Sequence, residues 1–321
     1  MIRSRASHIT TTARGHKLAP HVALVLVQVM FGTFPIAGKI ALGAIPSTGL
    51  VAFRVAGAAI VLVLVQLAAK RPWKVDRRDW PLLVLCSLLG LVLNQLLYVK
   101  GLSLTTAINT IVLATTIPLS ALLVSILLHH DRATPPRILG MLIAAAGVLY
   151  LIDPSRADFS RGTRLGDILI VANSLCYGAY VAVSKNLVAR YNPLSIITWF
   201  FIVACLFALP IGAVRLTSVP LSQVGASVWL AVLYVILVPT VGAYYLNAWA
   251  LARVPPSTVA VYVYLQPLIV FALAPFLLGE KPSLRALIAS LLIFAGVAVV
   301  TRRSLSRAIR DVSEHPEALG N

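Results

Sequence analysis

Residues 80–104 read WPLLVLCSLLGLVLNQLLYVKGLSL, and residues 229–253 read WLAVLYVILVPTVGAYYLNAWALAR. Each is an apolar run long enough to cross the hydrocarbon core of a bilayer, which takes about 20 residues of helix. They also stand in register at an offset of 149 residues, and the register continues past them. Residues 80–152 superpose on 229–301 without a gap: Trp80 meets Trp229, Pro118 meets Pro267, Asp131 meets Glu280, Arg132 meets Lys281 and Gly147 meets Gly296. Further towards the N-terminus an offset of 146 pairs Phe31 with Tyr177, Gly32 with Gly178 and Lys39 with Lys185. Helix breakers and charges in register across both halves indicate a duplicated unit.

Working outward, apolar blocks place ten spans at 20–42, 47–69, 80–99, 105–128, 135–152, 167–186, 194–213, 226–250, 257–278 and 284–301. Helix is the only open-chain structure that satisfies its own backbone in lipid. Pro46, Pro135, Pro136, Pro193, Pro255, Pro256 and Pro282 punctuate the connections. The expected fold is an all-α membrane protein: a basic tail (1–19), a first five-helix repeat (20–152), a second (167–301) and a second tail (302–321). Five is odd, so the second repeat crosses the membrane in the opposite sense. Inverted repeats are a transporter plan, with the substrate site near the midplane between the halves.

Composition agrees with a membrane protein. Hydrophobic residues make up 59% of the chain and charged ones 12%, against about 25% charged in a soluble domain. The net charge of +17 is a topology signal rather than a nucleic-acid footprint, because the basic residues sit between the apolar blocks. With the N-terminus in the cytoplasm, 18 Lys and Arg fall on the cytoplasmic side and 6 on the other. Both termini are therefore expected in the cytoplasm of a protein of the cell (plasma or inner) membrane. Cys86, Cys176 and Cys205 all lie inside apolar blocks without CxxC or His spacing, so neither a disulfide framework nor a metal site is expected.

Several segments resemble the drug/metabolite transporter superfamily, specifically its EamA type with two EamA units. They are VAFRVAGAA (51–59), LLGLVLNQLLYVKGLSLTTA (88–107), TTIPLSALL (115–123), YLNAWALARVPPSTVAVYVYLQPL (245–268), LLGEKPS (277–283) and LLIFAGVAVV (291–300). The resemblance covers about residues 20 to 301. Asn94 to Leu104 is also similar to plant nodulin-type relatives, which move amino acids or auxin. The chain departs from the pattern after the fourth span, where the family often has LGE and this sequence has His129, His130 and Asp131.

Polar and aromatic residues deep in the spans are the candidates for a substrate cavity. The first span offers Gln28, Phe31, Pro35 and Lys39 on one helical face. The third has Asn94, Gln95 and Tyr98, and the sixth Asn173, Tyr177 and Tyr180. The eighth has Tyr244, Tyr245 and Asn247, and the ninth Tyr262, Tyr264 and Gln266. Among these and the charges, Gln28, Phe31, Arg54, Asn94, Tyr98, Asn173, Tyr177, Asn247, Tyr262 and Gln266 form the expected substrate-binding set. Each can equally serve as an interhelical hydrogen bond. Pro118 and Pro267 free the carbonyls of Ala114 and Val263 and are hinge candidates. Arg54 stands about 12 Å into the second span at 1.5 Å per residue, where a charge implies function or a structural anchor. Lys39 and Lys100 are close enough to their helix ends to snorkel.

All ten carboxylates and all six histidines fall in loops, tails or span ends. The usual intramembrane hardware for proton coupling is thus missing, and transport down the substrate's own gradient or by exchange is expected. GTFPIAGKI (32–40) has five residues between its glycines and no Ser/Thr after its lysine, so it is not a P-loop. No catalytic motif is visible. These readings converge on a secondary transporter, an exporter of small amphipathic metabolites such as amino acids, with no enzymatic activity, cofactor or nucleic-acid partner. A facilitator of other organic solutes or drugs is the near alternative; an intramembrane enzyme or a receptor is the alternative of another class. Gly140, Ala144 and Gly147 could support internal packing or a homodimer.

Overall fold

The computed structural model describes residues 3–105, 113–114, 116–152, 160, 163–217, 220–266, 268–269, 288–289 and 291–300. Among them every regular element is a helix. The first half comprises α1 (Arg3–Leu42), α2 (Ser47–Ala68), α3 (Trp80–Ser87), α4 (Asn94–Leu104), α5 (Ile117–Leu127) and α6 (Pro135–Ile152). The second comprises α7 (Arg164–Arg190), α8 (Pro193–Leu216), α9 (Ala226–Ile236), α10 (Ala243–Leu251), α11 (Pro256–Val261) and α12 (Leu291–Val300). Five continuous runs among the described residues are long and apolar enough to cross a membrane: 47–68, 77–101, 164–190, 193–216 and 226–251. The helix of the first span extends back to Arg3, through the basic segment.

Local chemistry sets the boundaries. Asn192 caps α8 by accepting the Leu194 N–H at 3.0 Å, with Pro193 in the first turn, where its missing N–H costs nothing. Pro118 has the same role: α5 begins at Ile117, so Pro118 lies in its first turn. Pro267 and the side chains of Pro35 and Lys39 lie outside the described residues.

Two π-helical turns interrupt the third and eighth spans. They occupy Leu88–Leu93 and Leu237–Gly242, again 149 residues apart, so the internal repeat extends to backbone irregularity. In the second, Pro239 has no N–H to offer the Val235 carbonyl, and the Thr240 hydroxyl donates to it instead at 2.7 Å.

The two halves interlock. α2 packs on α8 in the opposite sense: Thr48 and Ala52 lie against Gly212, while the Gln66 amide donates to Ser195 Oγ at 2.9 Å. α4 runs against α7 in the same way, with Asn173 Nδ2 donating to the Asn94 carbonyl at 2.7 Å and Gly101 abutting Ile170. α1 crosses the eighth-span helix, where Tyr234 donates to Thr33 Oγ1 at 2.8 Å. Gly32 lies against Ile269 and Gly178 against Ser120. The two glycines are 146 residues apart and their neighbours 149, so exchanging the halves maps one contact onto the other. Gly140, Ala144 and Gly147 are used inside the chain: they meet Gly296, Leu292 and Ile293 of α12 at backbone-contact distance.

Candidate substrate site

Arg54 is 5% exposed in the middle of α2. Its Nε donates to Thr240 Oγ1 at 3.1 Å, and its guanidinium carbon lies 4.3 Å from the centre of the Phe34 ring. The π turn is what makes this possible. Thr240 spends its hydroxyl proton on the Val235 carbonyl, which leaves its lone pairs to accept from Arg54. The Tyr98 and Tyr244 hydroxyls are within electrostatic reach of the same guanidinium.

Tyr244 is the hub of the surrounding wall. Its ring meets Phe31 edge-on at 5.8 Å and Phe201 at 5.5 Å, and its hydroxyl donates to the Gly90 carbonyl at 3.2 Å. Tyr177 and Tyr180 continue the aromatic surface with ring centres 5.9 Å apart. Gln95 lies beside the Tyr244 hydroxyl, yet neither of its side-chain amide atoms has a hydrogen-bond partner and the residue is 3% exposed.

Of the expected set, Phe31, Arg54, Tyr98 and Tyr177 thus gather around Tyr244. Gln28 and Gln266 pair with each other, Gln266 Nε2 donating to Gln28 Oε1 at 2.8 Å. Tyr262 shares a 2.8 Å hydrogen bond with His21 Nδ1, nearer the start of α1. Asn173 and Asn94 form the α7–α4 link already described, and Asn247 is buried. Gln28–Gln266, His21–Tyr262 and Asn173–Asn94 therefore join helices, the last through the Asn94 backbone carbonyl. Sequence reasoning missed Phe34 and Thr240, and named Gln95 as a cavity candidate without carrying it into the expected set. The adjacency of Pro239 and Thr240 was the available signal for a broken helix presenting a hydroxyl. Lys100 is exposed and lines a separate, largely apolar groove of about 390 Å³ with Ser47, Thr48, Leu97 and Leu169.

Among the described residues no three His, Cys, Asp or Glu side chains gather as metal ligands. Towards the expected cytoplasmic ends, Lys185 Nζ donates to the carbonyls of Leu251, Ala252 and Val254 at 2.6, 3.2 and 3.1 Å. Asp131 accepts from Ser125 Oγ and the Ser257 N–H and pairs with Arg137 at 2.5 Å. At the start of the 77–101 run, Asp79 accepts from the Tyr191 hydroxyl at 2.6 Å and from Arg190 at 2.7 and 2.9 Å.

The model of the EamA-like transporter family matches residues 19–152 and again 164–302. An uncharacterised transporter of Archaeoglobus fulgidus is 27% identical over 227 residues, covering 70% of this chain and 77% of its own length. A Streptantibioticus cattleyicolor protein described as a "probable terminal-alkyne amino-acid exporter" is 25% identical over 288 residues, covering 89% and 94%. A WAT1-related protein of Arabidopsis thaliana is 25% identical over 327 aligned positions, covering 88% and 83%. A protein of known crystal structure shares the fold, with a TM-score of 0.74 at 23% identity, over 89% of this chain and 98% of the other.

Proposed function

Because this chain belongs to the EamA-like transporter family and is a multi-pass membrane transporter, we propose that it is a secondary exporter of small amphipathic metabolites such as amino acids. It works through ten spans in two inverted five-helix repeats. Short links turn the chain between α1 and α2 and between α7 and α8, while α2 and α8 run in opposite senses. Following these reversals, α7 runs against its repeat-mate α1, which supports the inversion. The 18-to-6 charge bias supports cytoplasmic termini in the plasma or inner membrane.

One observation carries the site. Gln95 and Tyr244 are repeat-equivalent at the 149 offset, and they are neighbours. Equivalent residues meet only near the axis that relates the halves, where inverted-repeat transporters bind their substrate. Phe31, Arg54, Tyr98 and Tyr177 surround that point. The exporter named among the relatives favours amino acids, and the aromatic wall suits their apolar side chains. Flux of labelled metabolites into proteoliposomes containing this protein alone is the test. A panel of amino acids, amines, sugars and nucleosides should yield saturable counterflow for an amphipathic member. No flux for any member would refute transport by this chain.

A further inference from the structure

Arg54 is buried and no carboxylate contacts it among the described residues. Among the described residues its Nε alone is hydrogen-bonded; the Thr240 bond and the Phe34 ring fix the plane of the guanidinium, and neither terminal nitrogen has a hydrogen bond to a described residue. Gln95 is just as unusual. Its oxygen and nitrogen are both buried without a well-formed hydrogen bond, held only in a loose contact with the Tyr244 hydroxyl, which donates to Gly90. Gln95 and Tyr98 are three residues apart on α4 and so share a face, and Tyr98 and Tyr244 both approach Arg54. The unsatisfied donors of α2 and α4 therefore converge on one place.

A planar fork of N–H donors with a neighbouring amide matches a carboxylate. Resting on the transporter reading above, we propose that the transported solutes carry a carboxylate bound jointly by the terminal nitrogens of Arg54 and the side-chain amide of Gln95. Phe31 and Tyr177 flank the apolar remainder of the solute. The Gln95 oxygen is left to accept from an ammonium or hydroxyl on the same molecule, as an amino acid would supply. One carboxylate would satisfy the terminal nitrogens of Arg54 and the Gln95 amide together.

The test reads binding apart from transport. Full-length protein in detergent is unfolded thermally in the presence of sodium phenylacetate, 2-phenylacetamide or phenyl phosphate. Phenylacetate should raise the midpoint, and the amide, of the same shape, should not. Equal shifts by acid and amide, or a stronger effect of the phosphate, overturn the proposal without any variant. Gln95→Leu should weaken phenylacetate about tenfold, a loss of one charge-assisted bond; unchanged affinity overturns the role of Gln95. Gln95→Glu places a carboxylate beside Arg54. It should raise the midpoint of the ligand-free protein and abolish the response to acid, a gain that a misfolded variant cannot mimic. In proteoliposomes, solute flux that ignores the presence of a carboxylate sinks the proposal and leaves the transporter reading intact. Absence of all flux beside a normal phenylacetate response does the reverse.

Discussion

Lys185→Met should destabilise the protein by about 3 kcal/mol. The Lys185 ammonium has three protons and gives one to each of three carbonyls, those of Leu251, Ala252 and Val254, at 2.6 to 3.2 Å. These lie at the end of α10 and in the turn before α11, where carbonyls lack intrahelical donors. A hydrogen bond involving a charge contributes about 1.5–3 kcal/mol net. Three that share one ammonium are not additive, and burying that ammonium costs part of the sum, so about 3 kcal/mol is the working figure. Chains of 150–250 residues lose roughly 2–4 °C of midpoint per kcal/mol, and this longer one belongs at the low end, giving roughly 6 °C. Differential scanning fluorimetry of purified wild type, Lys185→Met and Lys185→Arg measures it, with arginine expected to restore part of the loss. Asp131 lies within electrostatic reach of Lys185 and holds the Ser257 N–H at the start of α11. Asp131→Asn and Lys185→Met should therefore couple, the double variant losing less than the two single losses combined. A midpoint within about 1 °C of wild type for Lys185→Met would refute the reasoning.

Three further expectations follow from particular contacts. Gly90→Ala would set a methyl carbon 2.3 Å from the buried Tyr180 ring, so it should cost roughly 1–3 kcal/mol by overpacking, seen as a lower thermal midpoint; an unchanged midpoint would mean that Tyr180 is not confined. In a background without the native thiols, cysteines replacing Val75 and Ser160 should react with a membrane-impermeant maleimide from opposite sides, and same-side labelling would sink the inverted-repeat reading. Counterflow should proceed with pH clamped equal on both sides; if an imposed pH gradient alone concentrates a neutral or zwitterionic solute, transport is proton-coupled, and Lys39→Met then tells whether Lys39 is the proton site.

The all-helical, multi-pass fold and its two family units were legible because membrane physics writes them into composition. Apolar blocks, prolines and the 149-residue register are all one-dimensional signals. The π turns were not. They begin at Leu88 in one half and at Leu237 in the other, and apart from Pro239 nothing in these apolar runs distinguishes a fourth-residue carbonyl bond from a fifth. The site inherited that blindness. Arg54 could be singled out from its depth, but its partner Thr240 becomes reachable only through the π turn. Gln28 and Gln266 show the converse: a hydrogen bond between two amides cannot be told, in sequence, from two amides that each stand alone. Lys185, at the end of the sixth span, reads in sequence only as a charge near a membrane boundary, whereas its long stem reaches to the carbonyls that end a neighbouring helix.

What the halves share and what they do not assigns different work to different residues. The shared features are mechanical: π turns at equivalent positions, and Gly32 and Gly178 each letting a helix of the other half approach. The unshared ones are chemical, with Gln95 against Tyr244, Tyr98 against Asn247 and Asn94 against Ala243 at the 149 offset. Arg54 is bonded across the divide, from α2 to Thr240 of the second half. A rearrangement of one half against the other must break that bond or carry α2 along with the second half. The packing favours the second course, since α2 is pinned to α8 at both ends, by Ala52 and Thr48 on Gly212 and by Gln66 on Ser195. We therefore expect α2 and α8 to move as one body. Cysteines replacing Gln66 and Ser195, joined by a short bifunctional thiol reagent, should leave at least half of the proteoliposome counterflow of the unlinked protein. Loss of flux on cross-linking, restored when the link is reduced, would show that α2 and α8 must separate during transport.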